Sequence, residues 1–214
     1  MSRPQPRLIL VRHGETDWTI TGQHTGRSDI PLTMHGEKVV KDGAWRLVGD
    51  GLIIDPKSCL RAIVSPRQRA SKTFHLAFAH TEEPPHEISE DVREWDYGDY
   101  DGLTLTEIHN IDGTWNVWKD GCPGGESVEA MEKRVDSVIA KVRGWHQEYL
   151  ENSTLDKPDV LIFAHGHFGR VLVTRWLGYP LADGRRFTLG TASISVLGYG
   201  RDGGQVLQVL NEQF

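Results

Sequence analysis

The sequence predicts an α/β protein, a three-layer αβα sandwich in which helices cover both faces of a mostly parallel central sheet. Two observations favour this fold class. Short apolar runs of strand length alternate with segments of helical period, and several of these runs end in polar or charged residues. The 214 residues can bury a sizeable core, and no Pro/Gly/Ser-rich linker divides them. We therefore expect one domain over residues 1–214.

The first predicted strand, Arg7 to Val11, is mostly a run of consecutive apolar residues, which is typical of a strand buried on both faces. The segment from Thr16 to Thr33 has turn residues and little periodicity, so we expect a loop over the strand ends. Thr33 is a residue type that caps helices, and a helix is predicted from there to about Val48.

The second strand is predicted at Ala62 to Val64. The Ser-Pro pair after it predicts a helix with Pro66 at its first position, which would place Arg69 in the first turn. A short strand is expected at His86 to Ile88. The segment from Asp91 to Gly102 is dense in aromatic and acidic residues, and we expect an ordered surface loop there.

The longest predicted helix begins after Glu126 and Ser127. Its apolar residues recur with helical spacing and should form a stripe that faces the core. The stripe consists of Val128, Met131, Val135, Val138, Ile139 and Val142. In chain order, the other predicted elements of this half are a short helix at Thr104–Asn110, a strand at Asp159–Phe163, a helix at Phe168–Leu177, and a closing hairpin of Ser193–Tyr199 with Val206–Val209.

The charge balance limits the classes of partner. Asp and Glu outnumber Lys and Arg by 30 to 24, a formal net charge of −6. Nucleic acids and anionic membranes favour a basic face, so we expect neither as the main partner. No apolar run is long enough to span a bilayer. Cys59 and Cys122 form neither a metal-spaced set nor a disulfide framework, which favours a reducing compartment, and we expect a cytoplasmic protein.

The end of the first predicted strand carries three residues with chemical potential. Open α/β sheets bind ligands at the carboxyl ends of their strands, where Arg12, His13 and Gly14 would lie. Arg12 offers a planar fork of donors to a phosphate or carboxylate. His13 can act as a nucleophile or base, and Gly14 lets an oxyanion approach the backbone. A strand that ends in charged residues by chance would look the same, so this motif alone does not establish a functional site.

Three further polar clusters occur at Ser65–Ala70, Arg93–Gly98 and Phe163–His167. Together with Arg12–Gly14, and in this order, they resemble the signature of the histidine phosphatase superfamily, also called phosphoglycerate-mutase-like. That signature is Arg-His-Gly after the first strand, Ser-Pro-x-x-Arg-Ala after the second, an acidic residue in a middle loop, and a second His-Gly near the end. The resemblance spans nearly the whole chain and implies a phosphoglycerate-mutase-like fold.

The same resemblance implies a role for each matching residue. His13 would be the nucleophile that forms a phosphohistidine, with the proton of its other nitrogen held by a backbone carbonyl such as that of Gly14. Arg12 and Arg69 would clamp the phosphate oxygens, and His165 would donate a hydrogen bond to the transferring group. We expect no cofactor and no metal, because two arginines in the site would repel a cation.

The proton donor is expected in the middle loop, where a general acid would protonate the leaving alcohol. Glu94, between Arg93 and Trp95, resembles the family's proton donor. The other carboxylates of this loop remain alternatives, most of them expected to be solvated: Glu90, Asp91, Asp96, Asp99 and Asp101.

Residues next to these motifs are predicted to bind the substrate. They are Gly14, Thr19, His24, Thr25, Arg67, Tyr97, Gly166, His167 and Arg170. Arg67 and Arg170 would suit a second phosphate, as in a sugar bisphosphate. They could equally point to solvent from their helices, and the sequence leaves both alternatives open.

Four longer runs narrow the resemblance further: Gly22–Arg27, Glu94–Gly98, Gly121–Ser127 and His165–Arg170. They look like the acid phosphatases of mycobacteria and are similar to the fungal sedoheptulose-1,7-bisphosphatases, which have Tyr where this chain has His24. Phosphoglycerate mutases of the family usually carry Asn at the position of Thr19. These features favour a phosphomonoester hydrolase, an acid phosphatase of the histidine type, that acts on small phosphorylated metabolites.

Two alternatives stay open. One is a 2,3-bisphosphoglycerate-dependent phosphoglycerate mutase, which the resemblance also allows. The other is a catalytically inactive phosphate-binding or interaction module, which would keep the fold and lose one of the site residues. A homodimer is a further possibility.

Overall fold

A six-stranded sheet forms the centre of the computed structural model, which describes residues 3–214. In chain order the strands are β1 (Leu8–Arg12), β2 (Cys59–Val64), β3 (His86–Ile88), β4 (Asp159–Ala164), β5 (Ser193–Tyr199) and β6 (Gln205–Gln213). Across the sheet their order is β3-β2-β4-β1-β5-β6. The neighbours β3-β2, β2-β4 and β4-β1 pair in parallel, whereas β5 is antiparallel to β1 and β6 is antiparallel to β5. The mostly parallel sheet with an antiparallel end is confirmed.

Helices cover both faces of this sheet. In chain order they are α1 (Asp17–Thr21), α2 (Met34–Leu47), α3 (Gln68–Ala77), α4 (Leu105–Ile111), α5 (Val117–Asp120), α6 (Val128–Glu151) and α7 (Gly166–Trp176). Short 3₁₀ turns occupy Pro56–Ser58, Glu90–Val92, Gly98–Tyr100 and Leu181–Arg186. Within residues 3–214, no helix combines the length and the apolar character that crossing a membrane requires.

The side chains of β1 separate two apolar cores. Leu8 and Leu10 pack with apolar residues of α6 and α7, whereas Ile9 and Val11 pack with residues of α2 and α3. None of the four is more than 1% exposed. A run of consecutive apolar residues is what a strand with a helix layer on each side requires, so the three-layer sandwich is confirmed.

Hydroxyl caps define where the two longest helices begin. Ser127 accepts a hydrogen bond from the backbone N–H of Ala130 at 3.2 Å, which fixes the start of α6. Thr33 accepts one from the N–H of Gly36 at 2.9 Å at the start of α2. The predicted stripe of α6 is buried, with Val128 partly buried at its edge. Both helix starts were therefore predictable from the local sequence.

Two predictions near the strand ends are wrong. The helix after Ser65 begins at Gln68, because Arg67 is its N-cap with extended dihedral angles (φ −69°, ψ 130°), and Pro66 precedes it. The segment from Thr16 to Thr33 is not entirely a loop, since it contains α1. Thr16 and Thr19 cap this five-residue helix reciprocally, and left-handed Gly22 (φ 82°) ends it.

The carboxyl ends of β1, β2 and β4 lie side by side. The backbone N–H of His13 donates to the carbonyl of Ala164 at 3.0 Å, and that of Ser65 donates to the carbonyl of Phe163 at 3.0 Å. Three motifs that are far apart in the sequence therefore meet at one edge of the sheet.

Candidate active site

A cavity of about 340 Å³ opens at this edge of the sheet. Arg12, His13 and Glu94 line it, whereas Arg69 and His165 are fully buried behind His13. The predicted substrate residues that line the cavity are Thr19, His24, Thr25, Tyr97, Gly166, His167 and Arg170. The structure thus brings most of the predicted set into one place.

His13 is held in one tautomer. Its Nδ1 lies 2.7 Å from the carbonyl oxygen of Gly14, and because a carbonyl only accepts, Nδ1 carries the proton. Burial lowers the pKa of His13 well below its usual value, and the charges of Arg69 and Arg12 lower it further. The ring is therefore neutral at neutral pH, with Nε2 as the unprotonated nitrogen, which is the state that a nucleophile needs.

Gly14 has a different place from the one expected. Its N–H donates to the hydroxyl of Thr73 at 3.0 Å, and it does not line the cavity. A side chain at this position would also press on the backbone oxygen of Gly36, 3.2 Å from an added Cβ. Gly14 thus acts on His13 through its carbonyl oxygen. The expectation that an oxyanion of the substrate would approach the backbone at Gly14 is wrong.

His165 and Arg69 form a buried pair behind the nucleophile. Arg69 Nε donates to His165 Nδ1 at 3.3 Å, so Nε2 carries the proton of the neutral ring and donates to the hydroxyl of Ser65 at 2.7 Å. Burial lowers the pKa of His165 well below its usual value, with Arg69 the next cause. The rings of His13 and His165 are 5.2 Å apart in an edge arrangement. Both nitrogens of His165 have protein partners here, so in this conformation it offers no free N–H to a phosphate.

Arg69 also organises the loop in front of it. Its terminal nitrogens donate to the carbonyl oxygens of Ser28 and Thr25 at 2.8 and 2.9 Å. This loop carries the residues of the cavity wall next to His24. Most donors of Arg69 are therefore occupied by the protein, and its contribution to a bound phosphate is mainly its buried positive charge.

Arg12 is the arginine with donors to spare. One terminal nitrogen donates to the carbonyl of Leu189, while its Nε is buried with no hydrogen-bond partner in the described part of the chain. An added Cβ at Gly166 would lie 3.2 Å from Cζ of Arg12. Gly166 therefore leaves room for the guanidinium beside the start of α7, where it can meet phosphate oxygens.

Glu94 lines the cavity and is 6% exposed. Its Oε1 accepts from the N–H groups of Trp95 and Phe168 at 2.9 and 2.7 Å, and its Oε2 accepts from the N–H of His167 at 2.9 Å. Two of these donors belong to the first turn of α7, so the carboxylate caps a helix N-terminus. Oε2 accepts only one of these bonds and can hold a proton or meet a leaving oxygen.

The other acidic candidates are occupied elsewhere. Asp96 pairs with Arg27 at 2.6 Å, and Asp101 accepts from the backbone N–H groups of Gly26 and Arg27 at 2.9 and 2.8 Å. None of the alternative carboxylates Glu90, Asp91, Asp96, Asp99 and Asp101 lines the cavity.

Arg67 was also expected to bind the substrate, but it does not line the cavity. Its guanidinium pairs with Glu90 at 3.3 Å, outside the cavity wall. Arg170 instead lines the cavity, with Nε donating to the carbonyl of Gly184 at 3.1 Å and Cζ 4.6 Å from the ring centroid of Trp118. Of the two outer arginines, only Arg170 can contact a substrate in this conformation.

The sequence interpretation missed the support of the Glu94 loop. Arg134 of α6 donates to the backbone carbonyls of Asp91 and Arg93, both at 2.9 Å, and forms two hydrogen bonds of 2.8 Å with the carboxylate of Glu126. Both side chains of this ion pair are at most 8% exposed. One signal was available, because Arg134 falls three residues after Met131, on the apolar side of α6, where a charged residue is unusual.

The sequence profile described as "Histidine phosphatase superfamily (branch 1)" matches residues 8–212. The chain belongs to the histidine phosphatase superfamily. The acid phosphatase of Mycobacterium tuberculosis is 40% identical over 193 residues, which cover 90% of this chain and 86% of that protein. The sedoheptulose 1,7-bisphosphatase of Saccharomyces cerevisiae is 32% identical over 186 residues, covering 81% and 68%.

The solved structure of the product of an open reading frame from Mycobacterium tuberculosis has the same fold. It matches with a TM-score of 0.79 and 36% identity, over 98% of this chain and 99% of that one. Bacterial 2,3-bisphosphoglycerate-dependent phosphoglycerate mutases match at lower identity. This histidine phosphatase is therefore an enzyme of the phosphatase type, and the mutase alternative is the weaker one.

Proposed function

We propose that the protein hydrolyses phosphomonoesters of small metabolites through a phosphohistidine intermediate on His13. The state of the His13 ring carries this proposal. Its Nδ1 proton is held by the carbonyl of Gly14 and its pKa is lowered by burial, so Nε2 is an unprotonated nucleophile in the wall of the cavity.

In the first step, Nε2 of His13 attacks the phosphorus atom and the bond between phosphorus and the ester oxygen breaks. The guanidinium of Arg12 and the buried charge of Arg69 offset the negative charge on the three other phosphate oxygens. The ester oxygen takes a proton from Glu94 and leaves as the alcohol.

In the second step, water attacks the phosphohistidine. Glu94, now a carboxylate, takes a proton from this water, and Nε2 of His13 leaves as inorganic phosphate is released. The proton that Glu94 gave in the first step is thereby restored. Because arginines supply the positive charge, we propose that the cycle needs neither a metal nor a cofactor.

We further propose phosphorylated sugars, with one phosphate or two, as the substrate class. One relative supports this class, because it is named as a sedoheptulose 1,7-bisphosphatase. Arg170 in the cavity wall is the group that would meet a second phosphate. Cys59 and Cys122 are free and buried, which fits a reducing compartment, and we propose the cytoplasm.

Hydrolysis of p-nitrophenyl phosphate tests the reaction type. We expect His13→Ala to abolish both turnover and the phosphoenzyme, and EDTA to leave the wild-type rate unchanged. His35→Ala, a change on the exposed side of α2, is the matched control and should behave as wild type. Near-normal turnover by His13→Ala would show that another residue is the nucleophile, and an EDTA loss reversed by zinc or magnesium would refute the metal-free cycle.

A second assay separates phosphatase from mutase. A mutase needs a 2,3-bisphosphoglycerate primer and a site that protects its phosphohistidine from water. With 3-phosphoglycerate we expect slow release of inorganic phosphate that the primer does not increase. Rapid, primer-dependent formation of 2-phosphoglycerate with little phosphate release would overturn the proposal.

A further inference from the structure

Two parallel histidine rings lie in the outer wall of the cavity. His24 and His167 are parallel within 7°, and their ring centroids are 6.2 Å apart. The hydrogen bonds within residues 3–214 engage only Nδ1 of each ring, so Nε2 of each is left for a ligand. Which of the two nitrogens carries a proton can be worked out from the partners of Nδ1.

His24 presents an acceptor. Its Nδ1 lies 3.0 Å from the carbonyl oxygen of Leu103, which can only accept, so the proton is on Nδ1. Burial lowers the pKa of His24, so the ring is neutral at neutral pH and Nε2 has a lone pair. The backbone holds the ring in place, since the N–H of His24 donates to the carbonyl of Leu103 at 2.9 Å and the carbonyl of His24 accepts from the N–H of Gly102 at 2.8 Å.

His167 presents a donor. Its Nδ1 lies 2.6 Å from the hydroxyl of Tyr97, whose pKa is raised by burial, so the phenol keeps its proton. Tyr97 is 2% exposed, and its hydroxyl makes no other hydrogen bond in the described part of the chain. If His167 donated to it, the phenol proton would have no acceptor in the described part of the chain, at a cost of about 1–3 kcal/mol. Tyr97 therefore donates.

It follows that the proton of His167 is on Nε2. Burial lowers the pKa of His167 well below its usual value, and the neighbouring charge of Arg170 adds to the effect, so the ring is neutral. The outer wall thus carries one acceptor and one donor, each on a ring whose tautomer is fixed by the protein.

The acceptor of His24 and the donor of His167 both suit hydroxyl groups, whereas the lone pair of His24 opposes an anion. A hydroxyl both donates and accepts, whereas a phosphate dianion or a carboxylate only accepts and would face the lone pair of His24. Imidazole nitrogens form hydrogen bonds in the plane of their ring, so each of the two rings meets its own hydroxyl, and a polyol offers several. We propose that His24 and His167 recognise hydroxyl groups of the organic part of the substrate, one at each ring, so that the preferred substrate is a polyol phosphate. This inference rests on the proposed function and adds the group that the outer pocket selects.

The test removes hydroxyls one at a time. The probes are a hexose 6-phosphate, its monodeoxy analogues, and cyclohexylmethyl phosphate as the analogue without hydroxyls. We expect kcat/KM to fall about tenfold for at least one monodeoxy analogue, as the loss of a paired hydroxyl predicts. Equal values across the series would overturn the inference.

Variants identify the residues responsible. His24→Phe removes the acceptor, His167→Phe removes the donor, and both keep an aromatic ring. In each we expect the ratio of kcat/KM between the polyol and its deoxy analogue to approach one. His35→Phe is the matched control and should keep the wild-type ratio. An unchanged ratio in His24→Phe and in His167→Phe would refute the assignment.

A spectroscopic measurement does not depend on how the variants fold. The ¹⁵N chemical shifts of the wild-type imidazoles distinguish the two neutral tautomers, and we expect Nδ1–H for His24 and Nε2–H for His167. The same tautomer for both rings would overturn the inference. Failure of the proposed function would look different, because p-nitrophenyl phosphate would then not be hydrolysed or its hydrolysis would survive His13→Ala.

Discussion

Replacing Glu94 by glutamine tests both its chemistry and its structural role. In the wild type, Oε1 accepts from two backbone N–H groups and Oε2 accepts from that of His167. The amide oxygen of Glu94→Gln can replace Oε1, so the NH₂ group must take the place of Oε2 and oppose the N–H of His167. One charge-assisted hydrogen bond is lost, and we expect the free energy of unfolding to fall by about 2 kcal/mol.

The kinetic effect should differ between the two steps. Loss of a general acid or base typically slows a step by about 10²–10⁴. The p-nitrophenolate group leaves with little need of a proton, so phosphorylation of His13 should persist while hydrolysis of the phosphohistidine slows. We expect rapid-quench kinetics of Glu94→Gln to show a burst of p-nitrophenol close to one per enzyme, together with an acid-labile phosphoenzyme. An alkyl phosphate, which needs the proton in the first step, should show no burst.

The control for this experiment is Glu90→Gln. Glu90 belongs to the same loop but its side chain is 56% exposed and pairs with Arg67 outside the cavity. It should keep wild-type kinetics and no phosphoenzyme should accumulate. If Glu94→Gln instead turned over at nearly the wild-type rate without a burst, another group would have to serve as acid and base.

Three further predictions follow from the contacts. Arg134→Met leaves the buried carboxylate of Glu126 with the longer ion pair to Arg93, at 3.4 Å, and should lower the free energy of unfolding by about 3 kcal/mol in urea titrations. It should also lower kcat more than it changes KM, because the Glu94 loop loses its anchor. Gly166→Ala should lower kcat/KM about tenfold by displacing Arg12, whereas Gly144→Ala, with open space around its Cβ, should not. Burial lowers the pKa of His146 to about 4, below its unfolded value, so its stabilising effect is fully present above about pH 6.5 and is lost as the pH falls towards 4. Unfolding titrations across this range should show a loss of up to about 3 kcal/mol that His146→Gln reduces.

The fold was predictable because its signals are local. The apolar run of β1 and the caps Thr33 and Ser127 act within a few residues, and each marks its element correctly. The predicted helix boundaries were wrong where the local sequence was compatible with two different backbone conformations. Pro66 is a common first helical residue, yet Arg67 adopts extended angles and the helix begins after it. Thr16 and Thr19 form a short reciprocal cap that periodicity over a longer window does not reveal.

The residues of the site were also predictable only in part. Arg12 and His13 were predictable from a motif that follows a strand end, Glu94 was singled out by the family resemblance of its loop, and all three line the cavity. The hydrogen-bond and ion-pair partners of these motifs were not predictable, because they depend on contacts between distant segments of the chain. Arg67 forms an ion pair with Glu90, and the two ring nitrogens of His165 form hydrogen bonds with Ser65 and Arg69. Sequence patterns indicate which residue types are present at a strand end but not which donors other segments have already occupied.

The start of α7 shows why these distant contacts matter to the chemistry. His165 is its N-cap residue, but its side chain makes no capping hydrogen bond, since both nitrogens face the buried pair behind His13. The N–H groups of His167 and Phe168 in the first turn are satisfied instead by Glu94, 73 and 74 residues earlier in the chain. Helix capping is usually local, and here it is carried out by the proton donor of the proposed reaction. These two hydrogen bonds therefore hold the helix end and orient the carboxylate, so a substitution that frees Glu94 must also expose the N-terminus of α7.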